Sequence, residues 1–289
     1  MAGACEGQVA LVAGASQGGT GTGSAVRLAA EGAKVAICAR SVEKMEETLA
    51  RIEEVGGTGV MFRCDLADPD GGRDTLVART EEALGPVDYL VYVAARTMFS
   101  KFETVSLDRL QSALELNLKA AWLLNQQVIA GIRARNSGGS IVNIGTSAAH
   151  PLTGPPYGKG PATRTGTVYG ATKAALHRMS QGVAAETYGE GISVNVVSPL
   201  AAIATPAVVS GGMIPQELCE PVEVMVEAVL ALLTGKPAEL TGLDTTSIEL
   251  LRELRRPVRD LTGTELVPGW QPGDLDDYAA RILGPRRAR

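Results

Sequence analysis

The order of the predicted elements constrains the fold of this 289-residue chain most strongly, because short apolar runs alternate with helical patterns. The sequence predicts strands over 8–13, 34–39, 60–63, 87–94, 140–145 and 192–198, and helices over 22–31, 42–55, 70–84, 107–135 and 167–187. Strands that alternate with helices are joined by right-handed crossovers and pair in parallel. We therefore expect an α/β fold, a doubly wound parallel sheet with helices on both faces.

No linker divides the chain before about residue 240. We expect one domain over residues 1–244 and a C-terminal extension over 245–289 that packs on this domain or on a neighbouring subunit. Residues 150–168 are rich in Pro, Gly and Thr. A loop of this length in a compact domain tends to be functional or mobile. In the predicted helix over 107–135, leucines have the spacing of one helical face.

A glycine-rich turn follows the first predicted strand and opens the first helix. It reads Gly14-Ala15-Ser16-Gln17-Gly18-Gly19-Thr20-Gly21. Glycines in such a turn let backbone N–H groups approach a diphosphate at a helix N-terminus, where the dipole favours anions. We therefore expect a dinucleotide-binding domain of the Rossmann type, and the alternative is an ordinary turn. The candidate cofactor residues in this turn are Gly14, Ser16, Gln17, Gly18 and Gly21.

The same turn also matches Gly-x-Ser-x-Gly, the nucleophile elbow of α/β-hydrolases, with Ser16 as the nucleophile. Such an elbow normally follows several strands rather than the first one. Neither His150 nor His177 lies in a local motif that marks a catalytic base. The sequence therefore favours a dinucleotide site over a hydrolase.

Arg40 ends the second predicted strand, where dinucleotide-binding folds place the group that meets the adenosine ribose. An acid at this point accepts a hydrogen bond from the 2′-hydroxyl of NAD, whereas an arginine suits the 2′-phosphate of NADP. Ala39-Arg40-Ser41 contains no acid. We therefore expect NADP, with NAD less favoured, and the alternative is that Arg40 is a solvated surface residue.

Tyr169 and Lys173 lie four residues apart at the start of a predicted helix. This spacing puts the phenol and the ammonium on one face of the helix. A phenol titrates near pH 10, so it needs help to act as an acid or base at neutral pH. A fixed ammonium favours the phenolate and lowers its pKa. The pair is therefore a candidate acid–base centre.

With the glycine turn and the strand order, the Tyr-x-x-x-Lys motif makes residues 7–206 resemble the short-chain dehydrogenase/reductase family. The resemblance implies that Asp65 and Leu66 lie at the adenine ring and that Asn117 holds a water in a proton relay. It also implies that Tyr169 is the catalytic acid or base and that Lys173 holds the nicotinamide ribose. Three more residues are assigned to the cofactor by the same resemblance: Ala94, Pro199 and Thr205.

The chain departs from the family pattern near the expected site, where Pro199-Leu200 replaces the usual Pro-Gly and two other motifs differ. The family's Asn-Asn-Ala-Gly reads Tyr92-Val93-Ala94-Ala95, so two polar supports are replaced. The catalytic serine aligns with Thr146, and Ser147 follows immediately; either hydroxyl could donate to a substrate carbonyl. We favour Thr146, because alternate residues on an extended backbone face opposite ways.

The resemblance implies an NADP-dependent oxidoreductase that interconverts a ketone or aldehyde and an alcohol, with a small-molecule substrate and a homotetramer or homodimer. The alternative is a non-catalytic NADP-binding protein of the same fold. The departures at Tyr92, at Thr146 and at Pro199-Leu200 favour this alternative. The retained Asn117, Tyr169 and Lys173 favour the enzyme.

Composition and charge argue against several other classes of protein. The net charge of −5 gives no basic footprint for nucleic acid. No apolar run approaches the roughly 18 residues of a membrane span. The chain has two histidines, so we expect no metal site. Its four cysteines are scattered, which is typical of a reduced, cytoplasmic protein.

Overall fold

The computed structural model describes residues 3–16, 18–211 and 215–283. A seven-stranded sheet forms its centre, with the order β3-β2-β1-β4-β5-β6-β9 and all neighbours parallel. Its strands are β1 (Val9–Ala13), β2 (Lys34–Ala39), β3 (Thr58–Arg63), β4 (Tyr89–Tyr92), β5 (Gly139–Ile144), β6 (Ile192–Ser198) and β9 (Asp244–Thr246). A separate parallel pair consists of β7 (Ala202–Ile203) and β8 (Cys219–Glu220). The predicted doubly wound parallel sheet is confirmed.

Helices connect the strands and cover the sheet. They are α1 (Thr20–Ala30), α2 (Val42–Glu54), α3 (Leu76–Leu84), α4 (Leu107–Leu114), α5 (Ala120–Arg135), α6 (Pro161–Thr165), α7 (Thr167–Glu186), α8 (Pro206–Gly211), α9 (Val222–Thr234), α10 (Ser247–Glu253) and α11 (Pro272–Leu283). Within the described ranges, none of these helices has the length and apolar character needed to cross a bilayer.

Strand β1 illustrates why the sheet has a core on each side. Val9, Leu11 and Ala13 pack into a cluster with side chains of α5 and α7. Ala10 and Val12 pack into a second cluster with side chains of α1 and α9. Because successive residues of a strand face opposite ways, a strand buried on both faces must be apolar throughout.

The helix predicted over 107–135 is interrupted in the structure. A π-helical turn at Glu115–Lys119 separates α4 from α5. Leu107, at the start of the predicted apolar face, is 81% exposed. The Tyr92 hydroxyl donates to the Leu116 carbonyl, a side-chain contact inside this turn that the helical spacing does not reveal.

The chain after β6 returns to the same sheet and the same core. Strand β9 pairs with β6, and the apolar residues of α10 join the cluster around α9. Glu227 of α9 is buried between Arg27 of α1, at 2.8 Å, and Arg256 beyond α10, at 2.5 Å. The division predicted at residues 244 and 245 therefore falls inside β9.

Candidate active site

A cavity of about 740 Å³ opens at the carboxyl ends of β1 to β4. Eight of the sequence-predicted cofactor residues line it: Gly14, Ser16, Gly21, Arg40, Asp65, Leu66, Ala94 and Thr205. Gly18 and Pro199 are not among its lining residues, and Gln17 lies outside the described residues. Ligands of open α/β sheets bind at this edge, so the position of the cavity agrees with a dinucleotide site.

The glycine turn brings backbone close to backbone at the bottom of the cavity. Gly14 has φ of +105°, and a Cβ there would lie 2.7 Å from the Ala94 backbone nitrogen. A Cβ on Gly21 would lie 2.1 Å from the Gly14 carbonyl oxygen. Among the described residues no side chain caps the N-terminus of α1, and the first turn of this helix contains no acid. The backbone N–H groups at the start of α1 fit the diphosphate of a dinucleotide.

Two cations line the end of the cavity next to β2. Arg40 follows the last residue of β2, and Lys44 lies in the first turn of α2, where the Ser41 hydroxyl accepts a hydrogen bond from the Lys44 backbone. The acid in the described lining, Asp65, follows β3, and its carboxylate accepts from the Ala67 backbone at 3.0 Å. Sequence reasoning missed Lys44, although the Ser41 N-cap was a usable signal.

Tyr169 and Thr146 meet where α7 passes the end of β5. The Thr146 hydroxyl is near enough to the Tyr169 phenol to act on the pKa of the phenol. Burial raises the pKa of the phenol, and the Thr146 hydroxyl lowers it only in part. The Phe99 ring stands edge-on to Tyr169, with centroids 6.2 Å apart. Ser147 is exposed and begins a 3₁₀ turn, so the structure brings Thr146 rather than Ser147 to the phenol.

Lys173 is buried one helical turn after Tyr169. Its Nζ donates to the Ile144 carbonyl, at the end of β5, over 2.8 Å. Burial lowers the pKa of this amine to about 8. The sequence predicted that the ammonium would depress the pKa of Tyr169. In the structure the pKa of the phenol is raised instead, because burial outweighs the lowering effect of the Thr146 hydroxyl.

Asn117 lies in the π-helical turn with no exposed surface. Its Oδ1 accepts from the Arg96 backbone at 2.7 Å, and its Nδ2 donates to the Arg96 carbonyl and to the Thr172 hydroxyl. Both amide hydrogens therefore have protein partners. The side chain ties the π-helical turn to the segment after β4 and to α7, and such turns are frequent at functional sites.

Where the family has Asn-Asn-Ala-Gly, this chain has a different polar support, which the sequence did not reveal. Tyr92 is fully buried at the end of β4, and its hydroxyl donates to the Leu116 carbonyl at 2.5 Å, next to Asn117. A tyrosine thus supports this turn from the first position of the family's Asn-Asn-Ala-Gly. Tyr92 and Leu116 come together only in the folded chain, so no local sequence pattern indicates their contact.

A buried carboxylate fixes the segment after β6. One Glu220 oxygen accepts from the Leu200 and Ala201 backbones at 2.6 and 3.1 Å, and the other accepts from the Ser247 hydroxyl. Burial raises the pKa of Glu220 to about 7. Sequence reasoning also missed Glu220, because its partners are about twenty and twenty-seven residues away in the chain.

Comparison with known proteins identifies chains that are similar to this one. A family model described as short chain dehydrogenase matches residues 8–210. L-rhamnose 1-dehydrogenase (NAD(P)(+)) of a Sphingomonas species is 33% identical over 195 residues, which are 67% of this chain and 72% of that protein.

Solved structures agree with this match. A short-chain dehydrogenase/reductase from Serratia marcescens superposes with a TM-score of 0.74 at 25% identity, over 84% of this chain and 96% of that one. A putative 2-deoxy-d-gluconate 3-dehydrogenase from Agrobacterium tumefaciens, with bound NADP, gives a TM-score of 0.70 at 25% identity, over 83% and 94% of the two chains.

Proposed function

Because the chain belongs to the short-chain dehydrogenase family and is therefore an NAD(P)-dependent oxidoreductase, we propose that it interconverts a ketone or aldehyde and an alcohol with NADP(H). The observation that carries this proposal is the position of Tyr169 one helical turn before the buried Lys173, whose Nζ donates to the Ile144 carbonyl at the end of β5, two residues before Thr146. A proton donor, a second hydroxyl and a cation in one place suit carbonyl chemistry.

The cavity residues supply the cofactor site in this proposal. Gly14, Ser16 and Gly21 hold the diphosphate at the start of α1, and Arg40 and Lys44 hold the 2′-phosphate. The similar structure from Agrobacterium contains bound NADP, which supports NADP as the dinucleotide in this proposal. The nicotinamide, when bound, supplies or accepts the hydride.

Side chains of the protein bind the substrate oxygen and exchange a proton with it. Tyr169 gives its phenolic proton to the carbonyl oxygen in reduction and takes the hydroxyl proton in oxidation. Thr146 donates a hydrogen bond to the same oxygen. Burial raises the pKa of Tyr169, so it favours the protonated phenol, which is the form that donates in reduction. Lys173 keeps a cation beside the site, and Asn117 holds the turn next to it in place.

Replacement of Tyr169 by Phe tests this mechanism, since it removes the hydroxyl and keeps the ring. General acid–base catalysis contributes about 10²- to 10⁴-fold, so we expect turnover to fall at least ~100-fold. NADPH consumption is followed across a panel of ketones and aldehydes, and NADPH binding by calorimetry should stay unchanged. Tyr188→Phe, at a 66% exposed tyrosine, is the matched control and should retain full turnover.

Unchanged turnover in Tyr169→Phe would refute the mechanism. If the wild type binds NADPH tightly but consumes it with no member of the panel, the non-catalytic alternative is favoured. The two outcomes are distinct, because the first concerns one residue and the second concerns the reaction itself.

The proposal includes a cytoplasmic homodimer or homotetramer. The four cysteines are free and buried, which supports a reduced compartment. Family membership supports subunit assembly. Light scattering of the purified chain gives the number of subunits, and a monomer at micromolar concentration would contradict this part of the proposal.

A further inference from the structure

A cluster of two histidines and an aspartate lies beside the candidate active site. His177 is on α7 one helical turn after Lys173, Asp244 begins β9, and His150 follows the 3₁₀ turn after β5. The His177 Nδ1 lies 3.0 Å from Asp244 Oδ2, and the His150 Nε2 lies 3.4 Å from Asp244 Oδ1. His177 is buried, whereas the His150 side chain is 48% exposed. The candidate mechanism uses none of these groups.

The second ring nitrogen of His177 contacts the active site directly. Its Nε2 accepts a hydrogen bond from the Thr146 backbone N–H at 3.3 Å. A neutral imidazole that accepts at Nε2 carries its hydrogen on Nδ1, so His177 donates from Nδ1 to Asp244. The hydrogen bonds therefore run in one direction, from Thr146 to His177 and from His177 to Asp244. The carboxylate fixes the tautomer.

The backbone around Thr146 explains why this contact matters. The pairing of β5 with β6 ends at Ile144, and the Gly145 N–H still donates to the Val197 carbonyl at 2.8 Å. Thr146 is the first residue past this ladder, and its N–H donates to His177 instead. A Cβ on Gly145 would lie 2.4 Å from the His177 Nε2, so glycine there leaves room for the ring.

The same three side chains could also be considered as metal ligands, since their ligand atoms lie within 4.8 Å of one another. A metal on the His177 Nδ1 would place the ring hydrogen on Nε2. That hydrogen would face the Thr146 N–H, and two donors repel. The contact between Thr146 and His177 therefore favours the hydrogen-bonded cluster over a metal site.

We propose that His177, held in the Nδ1–H tautomer by Asp244, is a positioning residue that fixes the backbone of Thr146 and so directs its hydroxyl to Tyr169. This inference rests on the proposed function, because it assigns the Thr146 hydroxyl a role in carbonyl chemistry. It extends the candidate site by two residues that do not touch the substrate.

The proposal has a consequence in acid. Protonation of His177 puts a hydrogen on Nε2 against the Thr146 N–H and breaks the contact. The groups that face the ring are Asp244 of β9, His150 after β5 and Lys173 of α7. Burial, His150 and Lys173 lower the pKa of His177 more than Asp244 raises it, so the contact persists at neutral pH. Turnover should therefore fall as the pH drops below the ordinary histidine range, near 6.5.

Two substitutions of His177 test the role through kinetics. His177→Leu removes the acceptor, and we expect kcat at pH 7 to fall roughly tenfold, the effect of one lost hydrogen bond, while the KM for NADPH stays within about twofold. His177→Gln keeps an acceptor that does not titrate. We expect it to restore most of kcat and to abolish the acid limb of the pH profile. His150→Gln, on the solvent side of Asp244, is the control.

The tautomer can be measured without any activity, because the chain has only two histidines. In His150→Gln the remaining imidazole is His177, so its ¹⁵N chemical shifts need no further assignment. We expect a protonated Nδ1 and a bare Nε2 at pH 7. A protonated Nε2 would overturn the proposal even if the protein is inactive on every carbonyl tested.

The kinetic results can also overturn it. If His177→Leu keeps the kcat and acid limb of the wild type, His177 does not position Thr146. If His177→Leu fails to fold, the acid limb of His177→Gln decides, and its persistence would refute the proposal. An inactive wild type with the expected tautomer would refute the proposed function and leave the hydrogen-bond geometry established.

Discussion

Arg40 and Lys44 give one end of the cavity two positive charges, and these side chains bear on which dinucleotide fits. Arg40→Asp replaces a cation by an acceptor for the ribose 2′-hydroxyl. A hydrogen bond to a charged group contributes about 1.5–3 kcal/mol, so the affinity for NADP(H) should fall roughly 10- to 150-fold relative to NAD(H). Calorimetric Kd values for both dinucleotides measure this shift.

Lys236→Asp provides the same change of charge at an exposed site paired with Glu239, away from the cavity lining. It should leave the ratio of the two Kd values unchanged. The interpretation of Arg40 is wrong if the wild type already binds NAD(H) more tightly than NADP(H).

Apart from those that the family resemblance supplied, the residues that could be predicted from sequence are those whose partners are near in the chain. Tyr169 and Lys173 share a helix face, and Arg40 follows a strand end directly. The contacts of Tyr92 and His177 could not be predicted, because each partner is more than twenty residues away. A long-range hydrogen bond leaves no periodic signal in one sequence, so these roles needed the folded chain.

Glu220 connects the segment after β6 to α10, and its ionisation should make the stability depend on pH. Its folded-state pKa is raised to about 7, above the ordinary ~4.3. The stability it contributes is therefore fully present below about pH 4.3 and is lost as the pH rises through 7. The side chain of Glu220→Gln cannot ionise. At pH 8 the free energy of unfolding of this variant should therefore exceed that of the wild type by up to about 3 kcal/mol.

Denaturant titrations at pH 5 and pH 8 measure the effect of Glu220→Gln. Its advantage over the wild type should be larger at pH 8 than at pH 5. Glu239→Gln, at an exposed carboxylate, is the control and should show little difference between the two conditions. An advantage of the same size at both values would show that the charge of Glu220 is not the cause.

Among the elements, the long buried strands were the most predictable. The six strands β1 to β6 each fall within, or overlap, a predicted apolar run. Strands β7, β8 and β9 have two or three residues each, too few for a period to show. The π-helical turn was missed for a different reason: its leucine spacing fits an uninterrupted helix, and tertiary contacts to Tyr92 and Asn117 accompany the break.

At the scale of the whole molecule, the C-terminal segment shares a core with the sheet. Ile248, Leu251 and Leu275 are buried in the cluster that contains α9 and β1. Deletion of residues 247–289 would expose α9, whose residues from Val224 to Leu233 are all buried. We expect the shortened chain to lose its cooperative thermal transition, because a domain is stable by only about 5–15 kcal/mol. Calorimetry of both chains measures this.

The full chain should unfold in a single transition. Two separate transitions, or a shortened chain that still melts cooperatively and binds NADPH, would favour the sequence-based division into a domain over 1–244 and an extension over 245–289. The sequence could not decide this point, because the return of β9 to the sheet depends on a three-residue strand.

The parallel sheet separates the two rims of the molecule. The cavity lies where the strands end, and the turns that precede β5 and β6, around residues 137 and 189, lie at the opposite rim. Tyr188 there is 66% exposed. A chemical tether from this rim to a bead or electrode would leave the mouth of the cavity facing the bulk liquid, so an immobilised preparation should remain open to diffusing reactants.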